Sequence, residues 1–403
     1  MKPKTGWAEY AELAGVFFLQ MMALGIWLVP LTRILNAYGF SRLPAFAYAT
    51  SAVAAFISPL VFGAMADRHA SPVKVLRGLS LASAAATALA SWAIGHAWPA
   101  PAVLCLIQLY SLVAVPTSSI ASTIIFSRLR DSQRQYGPLR AAATFGWMCG
   151  CWLISGLNLD ASFKAGFAGA LVWLGLAAYT FSLTSIAPVP GPPMTFRERM
   201  GWDALALLKQ HDHRIVFLTV ALLSIPLAAF YPFSPPHLQY LGFHRTSAWM
   251  SLGQVTEMIA MFSLAALFAR LRLKWIFAMG LFFSIVRFCC CAMNQPGWLL
   301  AGVTLHGFSF TLVFITAQIY LNERVETVWR ARAQALMSLM TSGVGNLFGY
   351  VGTGFWFQSC STDSATNWAR FWSGLALAVT AVFLFFLIAY HGRRSGFRRE
   401  PTR

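Results

Sequence analysis

Runs of roughly 20 apolar residues, broken by short polar loops, recur from one end of this chain to the other. A run of that length can carry a helix through the hydrocarbon core of a bilayer, where a backbone has no water to bond and must satisfy itself. The 403 residues are 58% hydrophobic and 11% charged, against roughly 25% charged in a soluble domain. That leaves too little polar surface to cover a soluble core, which excludes a cytosolic enzyme, a secreted domain and a disordered chain. The expected fold class is an all-α integral membrane protein.

Hydropathy predicts twelve crossings, over 11–35, 44–66, 73–96, 100–126, 139–158, 163–188, 214–236, 246–269, 273–293, 297–321, 330–357 and 366–391. The formal net charge of +17 invites a nucleic-acid reading, but the basic residues lie in short loops rather than in one stripe or tail. Both termini and the even-numbered loops carry 23 of the 30 Lys and Arg residues, while the opposite face carries five, Arg33, Arg42, Lys164, Arg245 and Arg370. By the positive-inside rule the termini are cytoplasmic and the membrane is the inner one; no nucleic-acid partner is expected. The first apolar run has Gln20 in its middle and lacks a small-x-small exit, so it is expected to remain as a helix rather than be cleaved.

The longest polar interruption divides the chain into an N-terminal six-helix bundle (1–188), a cytoplasmic central loop (189–213) and a C-terminal six-helix bundle (214–403). The loop opens with Pro188, Pro190, Gly191, Pro192 and Pro193, which cannot be helical, and continues into a short amphipathic stretch from Trp202 to Lys209. A Gly63-x-x-x-Asp67-Arg68 turn after the second span is echoed by Arg270-x-Arg272-x-Lys274 after the eighth, the layout of a repeated transporter. Gly63, Asp67 and Arg68 are expected to act in gating. The Cys289-Cys290-Cys291 run is no metal site, because three successive helical residues point in three directions. No metal or cofactor is expected, the proton gradient being the energy source.

The informative residues of a membrane chain are the costly ones, at about 2.5–3.5 kcal/mol for a charge at the bilayer centre. Glu257 is the acid placed mid-span, with Gln254 one turn earlier on the same face. Arg140 and Arg287 are the intramembrane cations that can answer it. Two arrangements are open: a structural salt bridge from Glu257 to Arg287, or a Glu257 that faces a central cavity to bind solute and take up a proton. His306 and Phe310 share a face of the tenth span, and His306 is either a proton relay or a hydrogen-bonding residue between helices. Phe230-Tyr231-Pro232-Phe233-Ser234-Pro235-Pro236 implies a kinked or broken helix end. Gln20 with Trp27, and Arg140 with Thr144 and Trp147, form two further single-face stripes. Rings stacking on Trp147, Phe310 or Tyr231 and hydroxyls meeting Gln20, Gln254, Glu257 and Arg140 suit a solute of sugar or nucleoside size.

The chain resembles the major facilitator superfamily in its Gly63-Ala64-Met65-Ala66-Asp67-Arg68-His69 loop, and within it the nucleoside:proton symporters. The matching segments include Phe18-Leu19-Gln20 through Gly25-Ile26-Trp27, Arg140 through Thr144-Phe145-Gly146-Trp147, Gln254-Val255-Thr256-Glu257 and Ile285-Val286-Arg287-Phe288. That resemblance nominates Arg140, Thr144, Trp147, Gln254 and Glu257 for the solute cavity. It implies proton-coupled uptake by alternating access, in a fold that can work as a monomer. Where that family has a Phe-Asp pair in the tenth helix, this chain has Phe310-Thr311. Its Ala228-Ala229-Phe230-Tyr231 and Leu305-His306 through Phe310-Thr311 runs are similar to phenylpropionate-type permeases. An aromatic acid or a sugar is thus the alternative substrate, and a non-transporting membrane sensor a third reading. The site expected from sequence comprises Gln20, Trp27, Arg140, Thr144, Trp147, Tyr231, Gln254, Glu257, His306 and Phe310. Glu257 and His306 are the coupling candidates, and Arg287 is structural.

Overall fold

A computed structural model describes residues 6–68, 71–129, 132–184, 195, 202–362 and 365–392. The proline-rich opening of the central loop, Pro188–Pro193, lies outside the described residues. So do the side chains of Gly63, Asp67 and Arg68, whose backbone is helical.

The described residues are helical almost throughout, with one isolated extended bridge between Ser361 and Thr366. In the first half α1 (Trp7–Leu28) passes through a two-residue turn into α2 (Leu31–Ala37). There follow α3 (Pro44–Arg68), α4 (Pro72–Gly95), α5 (Ala100–Arg128), α6 (Ser132–Gly156) and α7 (Lys164–Tyr179). The second half opens with α8 (His211–Leu227), α9 (Phe230–Tyr240), α10 (Thr246–Met250), α11 (Leu252–Arg270) and α12 (Leu273–Ala292). It continues with α13 (Pro296–Thr304), α14 (His306–Phe310), α15 (Thr316–Arg324), α16 (Thr327–Ser338), α17 (Asn346–Ser359) and α18 (Trp368–Ala389). Among the described residues seven helical segments are long and apolar enough to cross a bilayer by themselves, including Trp7–Ala37, His211–Tyr240 and Pro296–Arg324. The shorter apolar helices Pro44–Ile57 and Lys164–Tyr179 lie between them in sequence.

Burial separates two apolar cores. One draws nearly all its members from Leu13 to Leu183 and is built where α1 packs on α6 and α7, and α4 on α5 and α7. The other draws nearly all its members from Ala204 to Tyr390, with Val29 and Cys151 joining from the first half and α12 against α18 and α13 at its centre. The stretch Trp202–Lys209 forms a 3₁₀ helix whose Ala204 is sealed and whose Leu207 and Leu208 dock on the second core, against α8 and α16.

Two glycines set how closely the site-bearing helices approach. A Cβ on Gly146 would collide with the Phe18 carbonyl, so α6 lies backbone to backbone on α1. A Cβ on Gly307 would collide with the Glu257 backbone nitrogen, so α14 seats directly on α11. Small residues at such crossings substitute for the hydrophobic drive that lipid does not provide.

The aromatic and proline-rich segment after the seventh apolar run breaks earlier than its composition suggests. The chain turns at Ala228–Ala229, just beyond Pro226, and Phe230–Tyr240 is helical with Pro235 and Pro236 inside it. Pro235 has no N–H to give the Tyr231 carbonyl four residues back, and the Tyr48 hydroxyl, which donates to the Leu28 carbonyl at 2.5 Å, lies 3.5 Å from that oxygen. Two π-helical turns, Thr311–Ile315 and Leu339–Gly345, interrupt the later helices.

Gly307→Ala is expected to cost about 1–3 kcal/mol through overpacking, seen as a lowered thermal midpoint of the detergent-solubilised protein. Gly175→Ala, whose added methyl meets nothing within 4 Å, is the matched control and leaves the midpoint unchanged or slightly raised.

Candidate functional site

A cavity of about 320 Å³ opens between the two cores, at the lower end of the range of about 300–1,000 Å³ for small-molecule pockets. From the first half α6 presents Arg140, Thr144 and Trp147, three residues on one helical face, and α1 presents Met21. From the second half α11 contributes Gln254 and Glu257, and α9 contributes Tyr231. His306, Phe310, Phe314 and Gln318 descend one wall at four-residue intervals, carried through the first π turn. Thr341 and Ser342 of the second π turn, with Asn346 and Tyr350 of α17, complete the lining.

Glu257 is buried, with Arg140 and Thr144 of the opposite half as its polar neighbours on the cavity wall; among the described residues the Thr144 hydroxyl has no hydrogen-bond partner. It makes no direct ion pair among the described residues. The expected alternative of a Glu257–Arg287 salt bridge is not what the fold builds. Arg287 lies outside the cavity, fully buried, and its Nη1 donates to His306 Nδ1 at 2.7 Å. A guanidinium has only donors, so Nδ1 must accept and the imidazole carries its hydrogen on Nε2. Among the described residues Arg287 Nε and Nη2 have no hydrogen-bond partner, and the guanidinium lies 4.6 Å from the Phe230 ring centre and 4.8 Å from that of Phe288. Thr311, beside Phe310, is fully buried with an unpartnered hydroxyl.

The aromatic part of the wall is mutually braced. Phe230 stacks on His306 at 3.9 Å with 11° between the rings, and Tyr231 meets Trp147 at 5.6 Å. Gln254 Nε2 donates to the Tyr231 hydroxyl at 3.3 Å. That leaves Gln254 Oε1 and Trp147 Nε1 on the cavity wall as a buried acceptor and a buried donor without partners among the described residues.

Gln20 and Trp27 do not reach this cavity. Their shared face of α1 turns into the first core, where Gln20 Nε2 donates to Thr117 and Ser118 at 3.1 and 2.8 Å. Trp27 is fully buried against Tyr110 at 6.0 Å. Met21, one position on from Gln20 and so about 100° around the helix, is the α1 residue that lines the wall. Sequence reasoning also passed over Ser342, Asn346 and Tyr350, although their four-residue spacing marks one face of a helix.

Beyond one end of the cavity, on the face opposite the basic loops, a polar lock joins the halves, with Arg33, Asp160, Thr246 and Ser247 buried and Gln239, His244 and Trp152 exposed. Arg33 donates from Nε to Gln239 Oε1 at 3.1 Å, and from Nη1 to the His244 carbonyl at 2.7 Å and Thr246 Oγ1 at 3.1 Å. Thr246 in turn donates to Asp160 Oδ1 at 3.4 Å, and the Ser247 N–H donates to the same oxygen at 2.7 Å. Ser155 donates to Asp160 at 3.0 Å and accepts from the Ala248 N–H at 2.9 Å, while Trp152 Nε1 donates to Ser251 Oγ at 2.9 Å. Asp160 thereby holds the first turn of α10, where a helix favours negative charge. Away from this lock the wall runs on through Gln318 and Thr341, toward the loops that carry Arg324 and Arg330.

Helices enclosing one polar and aromatic cavity, closed at one end by contacts between two packed halves, are the architecture of a multi-pass membrane transporter of the major facilitator type. The model of the Nucleoside H+ symporter family matches residues 9–394, and the chain belongs to that family. It is 28% identical to YegT of Escherichia coli (strain K12), covering 94% of this chain and 93% of that protein. It is 25% identical to the xanthosine permease of the same organism, covering 91% and 93%. A crystal structure of a mutant of the nucleoside transporter NupG superposes with a TM-score of 0.86 at 22% identity, over 94% of this chain and 99% of that one. A POT family transporter in complex with 5-aminolevulinic acid shares the fold at a TM-score of 0.72 and 9% identity, covering 96% and 97%. Among the described residues no three His, Cys, Asp or Glu side chains are grouped to hold a metal.

Asp160→Ala removes an acceptor used by Ser155, Thr246 and Ser247, and hydrogen bonds to a charged group are worth about 1.5–3 kcal/mol each. The variant is expected to open the locked end. Labelling of an Ala228→Cys reporter on the cavity wall by a membrane-impermeant thiol reagent, added from that face, should rise about tenfold or more. An unchanged labelling rate would show that the lock does not govern access.

Proposed function

We propose that this chain is a proton-coupled nucleoside importer of the cytoplasmic membrane, with both termini cytoplasmic, working by alternating access. In this reading twelve crossings form two six-helix bundles, 1–188 and 214–403, joined by the loop 189–213. The observation that carries it is the position of Glu257: a carboxylate inside the membrane, on the second half, facing Arg140 and Thr144 of the first half across a cavity of solute size. An ionised Glu257 attracts Arg140 through a medium of low dielectric and favours one disposition of the halves. Protonation removes that attraction, so proton binding and solute binding bias the same interface. No cofactor enters: the proton gradient supplies the energy.

The remaining wall suits a nucleoside. Trp147, Tyr231 and Phe310 offer aromatic faces for a base, while Gln254 Oε1, Trp147 Nε1 and Arg140 offer directed bonds to ring heteroatoms and ribose hydroxyls. The lock on the face opposite the basic loops fits a state open toward the cytoplasm. The family match and the named functions of the xanthosine and nucleoside permeases support the same substrate class. An aromatic acid would need a spare cation on the wall. Arg287, the second intramembrane arginine, is sealed behind His306 instead.

Uptake of labelled uridine and adenosine into cells or proteoliposomes, abolished by a protonophore, is the expected result. Competition by phenylpropionate but not by unlabelled nucleoside would overturn the substrate class. In Glu257→Gln, accumulation against a gradient should be lost while exchange of solute across the membrane partly survives. Undiminished accumulation in that variant would remove Glu257 from the coupling mechanism.

A further inference from the structure

Arg287 is a fully buried cation facing no carboxylate among the described residues, an arrangement that a membrane protein keeps only at considerable cost. The groups around it are Cys291 on its own helix, Tyr231 on α9, the Phe230 and Phe288 rings, and His306 on α14. Among the described residues its one hydrogen-bond partner is His306 Nδ1. The imidazole is held from three directions: it lies flat on Phe230, its Nδ1 is tied to Arg287, and Gly253 packs against its Cβ. Its ring cannot turn over without breaking the stack and the bond together. Since His306 lines the cavity and Nδ1 points to the guanidinium behind the wall, Nε2 is the ring edge left to the solute.

We propose that Arg287 is a positioning residue for solute recognition, fixing His306 as a neutral imidazole whose Nε2–H donates to an acceptor atom on the nucleoside base. The class of atom is a ring nitrogen or exocyclic carbonyl oxygen, presented edge-on by a base stacked among Phe310, Trp147 and Tyr231. In this arrangement His306 carries no coupling proton, because taking a second proton on Nδ1 would set two donors against each other. Proton coupling then falls to Glu257, which faces the other half. The inference rests on reading the cavity as a nucleoside site.

The test uses the full-length protein in proteoliposomes with labelled uridine and adenosine. Glutamine at this site can accept from Arg287 through Oε1 and donate from Nε2, but it cannot relay a proton. His306→Gln is therefore expected to raise KM by less than His306→Phe does and to go on accumulating solute against a gradient. His306→Phe should raise KM roughly 3- to 10-fold, the range for one lost hydrogen bond. Arg287→Met should raise it by a similar factor, and the double variant Arg287→Met with His306→Phe should add nothing further, since one unfixes and the other removes the same donor. Arg287→Lys, which keeps a donor facing Nδ1, should restore most of the affinity and decides the matter if the methionine variant does not fold. Lost accumulation with surviving exchange in His306→Gln would make His306 a relay and overturn the proposal. An unchanged KM in Arg287→Met would overturn it as well. Absence of any nucleoside transport by the unaltered protein would instead sink the substrate reading, and this inference with it.

Discussion

A polar group inside the hydrocarbon core has no water to fall back on, and many of the buried polar side chains of this protein answer that constraint in one of three ways, Arg287 being the conspicuous exception. Some bond inside one half. Gln20 is tied to Thr117 and Ser118, and His237 accepts from Trp372 Nε1 and bonds Asn294, each at 2.9 Å in the latter two cases. Others bridge the halves at the closed end, as Arg33 and Asp160 do. The third group lines the cavity, where a transported solute and its water can complete the bonding. Which of the three fates a residue meets decides whether it holds a helix, a gate or a ligand.

The closed end and the cavity are built on the same rods. On α6, Arg140, Thr144 and Trp147 line the cavity, and Trp152 and Ser155 belong to the lock. Across the interface, Ser247 and Ser251 take part in the lock, and Gln254 and Glu257 follow on α11. Six residues of helix separate Ser251 from Glu257, about 9 Å. A change of charge at Glu257 would therefore fall on an element adjoining the lock, with no need for a long chain of intermediates. The two π turns sit on the cavity wall as well, where Phe314, Thr341 and Ser342 are displaced from regular helical register.

Much of the site was legible because helical spacing is a strong constraint. The i, i+4, i+7 stripe of Arg140, Thr144 and Trp147 and the i, i+3 pair of Gln254 and Glu257 each required one face, and each face lines the cavity. The same rule placed Gln20 and Trp27 together but could not say which way their face turned. It turns into the first core, because α1 is pressed against α6 on another side through Gly146. The partner of Arg287 was equally hidden. Counting charges suggested Glu257, whereas the approach of α14 to α11 at Gly307 sets His306 in front of the guanidinium. Asn346 was missed because one uncharged polar residue in an apolar helix carries little signal without its neighbours Ser342 and Tyr350.

By itself the sequence determined that this chain is helical and lies in a membrane, where its basic loops fall, and that one acid is placed to matter. Hydrophobic length and charge position act locally along the chain, and they fix the medium in which each residue sits. Only the tertiary structure decided which polar residues share a cavity, which pair across the closed end, and that Arg287 answers a histidine rather than a glutamate. Those outcomes depend on the rotation and closeness of packed helices. They are set by a few glycines and by ring packing between segments far apart in the chain, and no local pattern encodes them.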